Sequence, residues 1–277
     1  MLFIGHKGYV LSSNFLNQII HADCFDVIPH IPSKSVDLIF TDMPYGTTKN
    51  QWDKVPDLPK LWTHYERIIK DNGAIVLFAQ SPFDKILAVS NLKLYRYEWI
   101  WEKTTATGFL NSKKMPLKAH ENLLVFYKKL PIYNPAKTKS HKKESSKASQ
   151  EKGLKSNNYG KNYCRVDYCS DERYPRSVLR FSTDKQKGQI HPTQKPVSLC
   201  EYIIKTYTNP DGIVLDTFAG SGTIPVASIN TGRNFIAVEG NIKHFFDAKA
   251  RINDVFALKQ SAQNLTKLQI SRKITTH

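Results

Sequence analysis

"IVLDTFAGSGT", residues 213–223, runs from a short apolar stretch through an acid into two closely spaced glycines. The next residues, "IPVASIN" (224–230), carry no turn signal until Thr231-Gly232. The sequence reads as a buried strand ending at Asp216, a glycine loop, and a helix beginning near Thr223. Gly220 and Gly222 let the backbone turn sharply and come close to a ligand, and the start of the helix offers free amide donors. The spacing is not Gly-x-Gly-x-x-Gly, which disfavours a dinucleotide pyrophosphate, and no Gly-Lys-Ser/Thr is present after it, which disfavours an NTPase.

The next apolar run, "FIAV" (235–238), ends at Glu239, about twenty residues on, where an acid can accept hydrogen bonds from both hydroxyls of a ribose. Taken singly, the loop is a plain strand-to-helix turn and Glu239 a surface acid. Together they describe a nucleoside cofactor with no pyrophosphate to grip, and S-adenosylmethionine fits that better than NAD.

Upstream, "VDLIFTDMPY" (36–45) packs Val36, Leu38, Ile39 and Phe40 too continuously for a strand with one wet face, and fits one covered on both sides, as in a parallel sheet. Ligands of α/β sheets lie at the carboxyl ends of strands, so Asp42 and the glycine loop share an edge if the strands are parallel. Pro44 confines Met43 to extended angles and fixes the direction of its carbonyl. That carbonyl and the Asp42 carboxylate make two acceptors for the two hydrogens of an exocyclic amine, and Tyr45 offers a face to stack on the ring bearing it. Asp42 alone would read as a turn or helix cap. "LPKLWTHYERIIKDNG" (58–73) has helical spacing with a stop at Asn72-Gly73. "AIVLFA" (74–79), "YRYEWIWEK" (95–103) and "ENLLVFYKK" (121–129) read as further strands. The fold expected is α/β, a mostly parallel sheet flanked by helices.

Forty Lys and Arg against 24 Asp and Glu give +16 over 277 residues, a charge that concentrates a polyanion and points to nucleic acid, with plain solubility as the alternative. From Lys128 to Lys161 there are ten lysines and two acids among many Ser and Asn, a stretch with little to bury. It divides the chain into 1–127, a basic insertion at 128–190, and 191–277. Four cysteines suggest a reducing compartment, and Cys164 and Cys169 lack the spacing of a zinc knuckle, so no metal is expected. No window reaches the roughly 18 apolar residues of a membrane span and no signal segment is evident. A cytoplasmic location is the expectation.

"DMPY" (42–45), "FAGSG" (218–222) and "HPTQKP" (191–196) together resemble the DNA amino-methyltransferases, and "RYPRSVLRF" (173–181) is phrasing similar to that of their β subgroup. The tetrapeptide near the N-terminus, the basic segment in the middle and the cofactor glycines near the C-terminus are in the order of that subgroup. The likeness covers roughly residues 20 to 127 and 175 to 250. It implies a Rossmann-like methyltransferase fold, S-adenosylmethionine as cofactor, and methylation of adenine N6 or cytosine N4 in DNA. The family's tetrapeptide usually has two prolines; here Met43 takes the first position and still supplies a carbonyl. The Asp and Tyr at its ends favour adenine.

By resemblance Asp42, Met43, Pro44 and Tyr45 are catalytic. The cofactor would meet Phe218, Gly220 and Gly222 at its methionine end, Glu239 at its ribose and Asp23 at its adenine amine, with Asp216 and Thr223 flanking the loop. Thr193 and Lys195 would line its methionine side, although Lys195 also reads as a solvated lysine at a helix start. The basic insertion would recognise double-stranded DNA, with Lys137, Lys139, Lys142 and Lys143 on phosphates and Asn157, Asn158, Arg165 and Arg173 on bases. The target base would leave the duplex. A cognate restriction endonuclease and a second copy of the chain are candidate partners. The competing readings are a cytosine-N4 enzyme and a catalytically silent DNA-binding relative.

Overall fold

The structure, a computed structural model, describes residues 15–47, 53–146, 168–183 and 194–274. Contacts divide the chain into two compact units, Met1–Asn134 with Ser177–His277, and Pro135–Arg176. The sequence puts the insertion at 128–190. The compact unit is narrower because Ile132 and Asn134 donate backbone hydrogen bonds to Asn72 and Thr206 of the larger unit, and the strand Val178–Phe181 joins the main sheet.

The larger unit runs β1 (Gln18–His21), α1 (Cys24–Val27), β2 (Val36–Thr41), α2 (Leu58–Ile68), β3 (Ile69–Ala79), α3 (Phe83–Ser90), β4 (Tyr95–Thr107) and β5 (Lys118–Phe126). The smaller unit holds the antiparallel pair β6 (Glu144–Ser146) and β7 (Tyr168–Ser170). The chain then returns with β8 (Val178–Phe181), α4 (Val197–Tyr207), β9 (Ile213–Asp216), α5 (Thr223–Asn230), β10 (Asn234–Glu239) and α6 (Ile242–Ile274). The sheet order is β1-β10-β9-β2-β3-β5-β4-β8. The first five strands in that order are parallel, β5 is antiparallel to both neighbours, and β8 is parallel to β4.

The continuous apolar runs are explained by cover on both faces. Ile75 and Leu77 of β3 and Leu124 and Phe126 of β5 pack with Leu61, Trp62 and Tyr65 of α2. The alternating Val76, Phe78, Leu123 and Val125 pack on the other face with Leu199, Ile203 and Tyr207 of α4. Asp57 caps α2 by accepting from Lys60 N at 3.0 Å.

One boundary differs from expectation. The sequence carries α2 to Gly73, but β3 already begins at Ile69. Ile69 pairs with Val36, and the register then jumps so that Leu38 faces Ala74. Gly73 therefore serves a bulge and not a helix end: a Cβ there would lie 2.8 Å from the Asp37 carbonyl oxygen.

Where β2 and β9 end side by side, Thr41 Oγ1 donates to Asp216 Oδ1 at 2.7 Å, and the Phe218 amide reaches both oxygens at 3.2 and 3.3 Å. Burial raises the Asp216 carboxyl to about 7, against the pull of these two donors. An unfolded Asp titrates near 3.9, so between these values the folded chain holds the extra proton and stability falls as pH rises, the loss being complete above about 7. Asp216→Asn keeps the carbonyl acceptor and cannot ionise. Unfolding followed by calorimetry should show the variant gaining on the parent by about 2 to 3 kcal/mol between pH 5 and pH 8.

Candidate active site

Parallel pairing brings four acids to one edge. Asp23 lies just past β1, Glu239 ends β10, Asp216 ends β9 and Asp42 lies just past β2, in the order in which the strands stand in the sheet. At about 4.8 Å per strand the row is about 14 Å long. All four line one cavity of about 730 Å3, together with Asp53, Glu121, Lys54, Lys103 and Lys195.

The glycine loop occupies one end. Gly220 and Gly222 have φ of 52° and 72°, a region few other residues adopt. A Cβ on Gly222 would come within 3.1 Å of Ala248, whereas Gly220 faces open space. Glu239 Oε2 accepts from Gly220 N at 2.8 Å and its Oε1 from Asn241 N at 2.7 Å, which ties β10 to the loop. Each oxygen retains acceptor capacity for a ligand hydroxyl. Asp23 caps α1 by accepting from Phe25 N at 2.8 Å. Arg251 of α6, invisible to sequence reasoning, donates to Ser221 O at 3.0 Å and to Thr223 Oγ1 at 3.1 Å, bracing the loop from behind. Acceptors at the Glu239 end, a partly buried Phe218 and a passage to Asp42 fit a nucleoside joined to an amino-acid chain.

The other end holds the tetrapeptide. Met43 is buried in the core beneath it, and its side chain anchors the position where proline is usual. Asp53 accepts from the amides of Tyr45, Gly46 and Thr47 at 2.9, 2.8 and 3.0 Å, so the turn after the tetrapeptide is held by a single carboxylate. The Tyr45 hydroxyl donates to Asp42 Oδ1, and its ring stacks on Phe83 at 5.3 Å.

Lys195 is only 8% exposed, which removes the solvated alternative. Its Nζ lies 2.7 Å from Asp42 Oδ2 and 3.0 Å from Glu121 Oε2, while Lys103 Nζ lies 2.6 Å from Glu121 Oε1. Burial pulls the Lys195 ammonium down, but Asp42 and Glu121 outweigh it and hold it above the usual lysine value. Burial would raise Glu121, yet Lys195 and Lys103 keep it below the usual range. Asp42 is raised, desolvation exceeding the opposing pull of Lys195, with Glu121 adding to the rise. Lys103 and Glu121 escape a reading of the sequence because β4 and β5 look like ordinary strands.

A family model described as DNA methylase (N6_N4_Mtase) matches residues 36–249. The chain belongs to that family. This methylase is 28% identical to the DNA adenine methyltransferase YhdJ of Escherichia coli K12, over 92% of its own length and 88% of the relative's. It is 26% identical to the Type II methyltransferase M.HinfI of Haemophilus influenzae, over 88% and 70%. Among solved structures the M1.HpyAVI-SAM complex superimposes with a TM-score of 0.57 at 29% identity, covering 84% and 98%. The cytosine-N4-specific PvuII methyltransferase, with a TM-score of 0.59 over 86% and 90% at 16% identity, shares the fold.

In the smaller unit of the methylase, Lys137 and Lys139 both pair with Glu172, at 3.0 and 3.6 Å. Arg173, expected to reach bases, instead spends its guanidinium on the carbonyls of Ser170, Glu172 and Lys142 and on Glu144. Lys142 and Lys143 are exposed. Asn157, Asn158, Arg165 and Thr193 lie outside the described residues. Among the described residues no helix is long and apolar enough to cross a membrane.

Removing one partner of a buried ion pair leaves the other uncompensated. Lys195→Met should therefore lower unfolding stability by roughly 3 kcal/mol. Lys195→Met strands Asp42, since Glu121 keeps Lys103, so adding Asp42→Asn should recover part of it, as a denaturant titration of both variants would show.

Proposed function

We propose that this methylase transfers a methyl group from S-adenosylmethionine to the N6 amine of an adenine extruded from duplex DNA. The observation that carries the proposal is the single cavity that runs from Glu239 and the glycine loop to Asp42. The choice of adenine is supported by Asp and Tyr at the ends of the tetrapeptide and by the likeness to a DNA adenine methyltransferase.

When bound, the cofactor supplies an electrophilic methyl group on a sulfonium. The Asp42 carboxyl group and the Met43 carbonyl would accept the two amine hydrogens and stabilise the positive charge that develops on nitrogen at the moment it appears. Tyr45 and Lys195 hold one Asp42 oxygen each and leave further lone pairs for the amine. Asp42, hydrogen-bonded to the amine, would be placed to take the proton that the methylated nitrogen sheds. The extruded base would lie against the face of Tyr45 opposite Phe83. Glu239 and Asp23 bind the cofactor's nucleoside, and the lysines of the smaller unit meet phosphates, which position the duplex without reading it. The Type II name of M.HinfI supports a restriction endonuclease as companion; self-association and a cytoplasmic setting belong to the same proposal.

Duplex DNA incubated with labelled cofactor and digested to nucleosides should yield N6-methyldeoxyadenosine, and a label found on cytosine would overturn the choice of base. In single-turnover assays Asp42→Ala should lose about a hundredfold to a thousandfold with cofactor affinity kept. Tyr45→Phe, which keeps the ring but removes the donor to Asp42, should lose about tenfold or more. Lys142→Ala with Lys143→Ala should flatten the salt dependence of DNA binding by up to about one unit of slope per lost phosphate contact.

A further inference from the structure

The turn between β4 and β5 is built against the usual rule for surfaces. Thr107, which lines the cavity, pairs with Lys118 to close the hairpin, and the ten residues between them are all exposed. Four of these ten are large and apolar: Phe109 is 79% exposed, Leu110 97%, Met115 52% and Leu117 43%. Single apolar residues on a surface are ordinary, but a cluster at one tip marks a contact. The tip is also shaped in advance. Gly108 turns with φ of 90°, and Asn111, Ser112, Lys114 and Met115 donate backbone bonds to Gly108, Phe109 and Asn111 within the turn. Its form is thus held by its own backbone, and its side chains are left outward.

Two observations identify the occupant. From Lys103 to His120 there is no acid, and Lys113, Lys114 and Lys118 stand among the apolar residues without an ion pair to any described residue. The tip is also continuous with the cavity: Leu110 is three steps along the chain from Thr107, a reach of at most about 11 Å. That is within the width of one major groove, about 12 Å.

We propose that this hairpin tip is a wedge for duplex DNA, Phe109 and Leu110 entering the base stack where the target base has left and Lys113, Lys114 and Lys118 lying on the flanking phosphates. The inference rests on the proposed extrusion of the base. Apolar side chains inserted at a base step offset the lost stacking, so the wedge contributes most where the target is paired and least where it is already unpaired.

The test compares the double variant Phe109→Ala, Leu110→Ala with the parent on two duplexes carrying the methylated sequence, located by mapping the label on restriction fragments of the methylated DNA. In one the target adenine faces thymine; in the other it faces an abasic site. Both side chains have little packing to lose, so the variant should fold as the parent does. The double variant should methylate the paired duplex at least tenfold more slowly in single turnover and the abasic duplex at nearly the parental rate, with cofactor affinity unchanged. Lys113→Ala with Lys114→Ala should weaken binding to both duplexes and flatten the salt slope. Equal loss on both duplexes, or no loss, would overturn the wedge. So would a loss that tracks conversion of a dimer to a monomer in sedimentation, which would make the tip a subunit contact. A parental enzyme inactive on adenine in both duplexes would overturn the proposed function itself, and the wedge with it.

Discussion

Thr41 and Asp216 meet where two central strands stop, far apart in sequence, hydrogen-bonded and almost wholly buried at the wall of the cavity. Each strand leaves that point in a different direction, β2 into the tetrapeptide and β9 into the glycine loop. The Phe218 amide shares the same two oxygens, so the first turn of the loop is registered against the last residue of β2. A slip of one residue in either strand would turn its alternating side chains to the opposite face, and the bond would be lost with the alignment of the two loops. The burial of a carboxylate is the cost of that registration, and it is visible in the raised proton affinity of Asp216.

The tetrapeptide is fixed by long-range charges more than by its own backbone. Asp53 gathers three amides from the turn after it, and Lys195, arriving from the far end of the chain, closes on Asp42. Glu121, itself held by Lys103, then holds Lys195 from the antiparallel side of the sheet. A carboxylate alone in such a place would take up a proton and cease to be a strong acceptor. The ammonium beside it opposes that tendency, and the Tyr45 hydroxyl orients it.

Legibility in the sequence depends on how many signals coincide. The strands ending at Asp42, Asp216 and Glu239 are readable because cover on both faces leaves an unbroken apolar run, and each run ends in an acid. The start of β3 is not, because Ile68 and Ile69 continue a helical spacing and a bulge glycine looks like a helix-ending one. Asp53, Glu121, Lys103 and Arg251 are illegible for a different reason. Their partners are chosen by strand pairing and helix packing, and no local pattern separates a buried acid of this kind from a solvated one. Sequence reasoning puts Lys195 at the right cavity, but its contact with Asp42 needs the fold. The Tyr45 hydroxyl carries a bond that ring stacking alone does not require.

Charge governs what passes through the cavity. The chain as a whole is strongly cationic, yet six carboxylates and three ammonium groups line the cavity. On the proposed function, the cationic chain would attract a phosphate backbone while the carboxylates of the cavity would disfavour it inside, which suits the entry of an uncharged base. On the same proposal the carboxylates of the cavity would favour a cationic sulfonium over the neutral thioether left after transfer. On that proposal the reaction itself would weaken the hold on the spent cofactor, because the charge that the walls attract is gone.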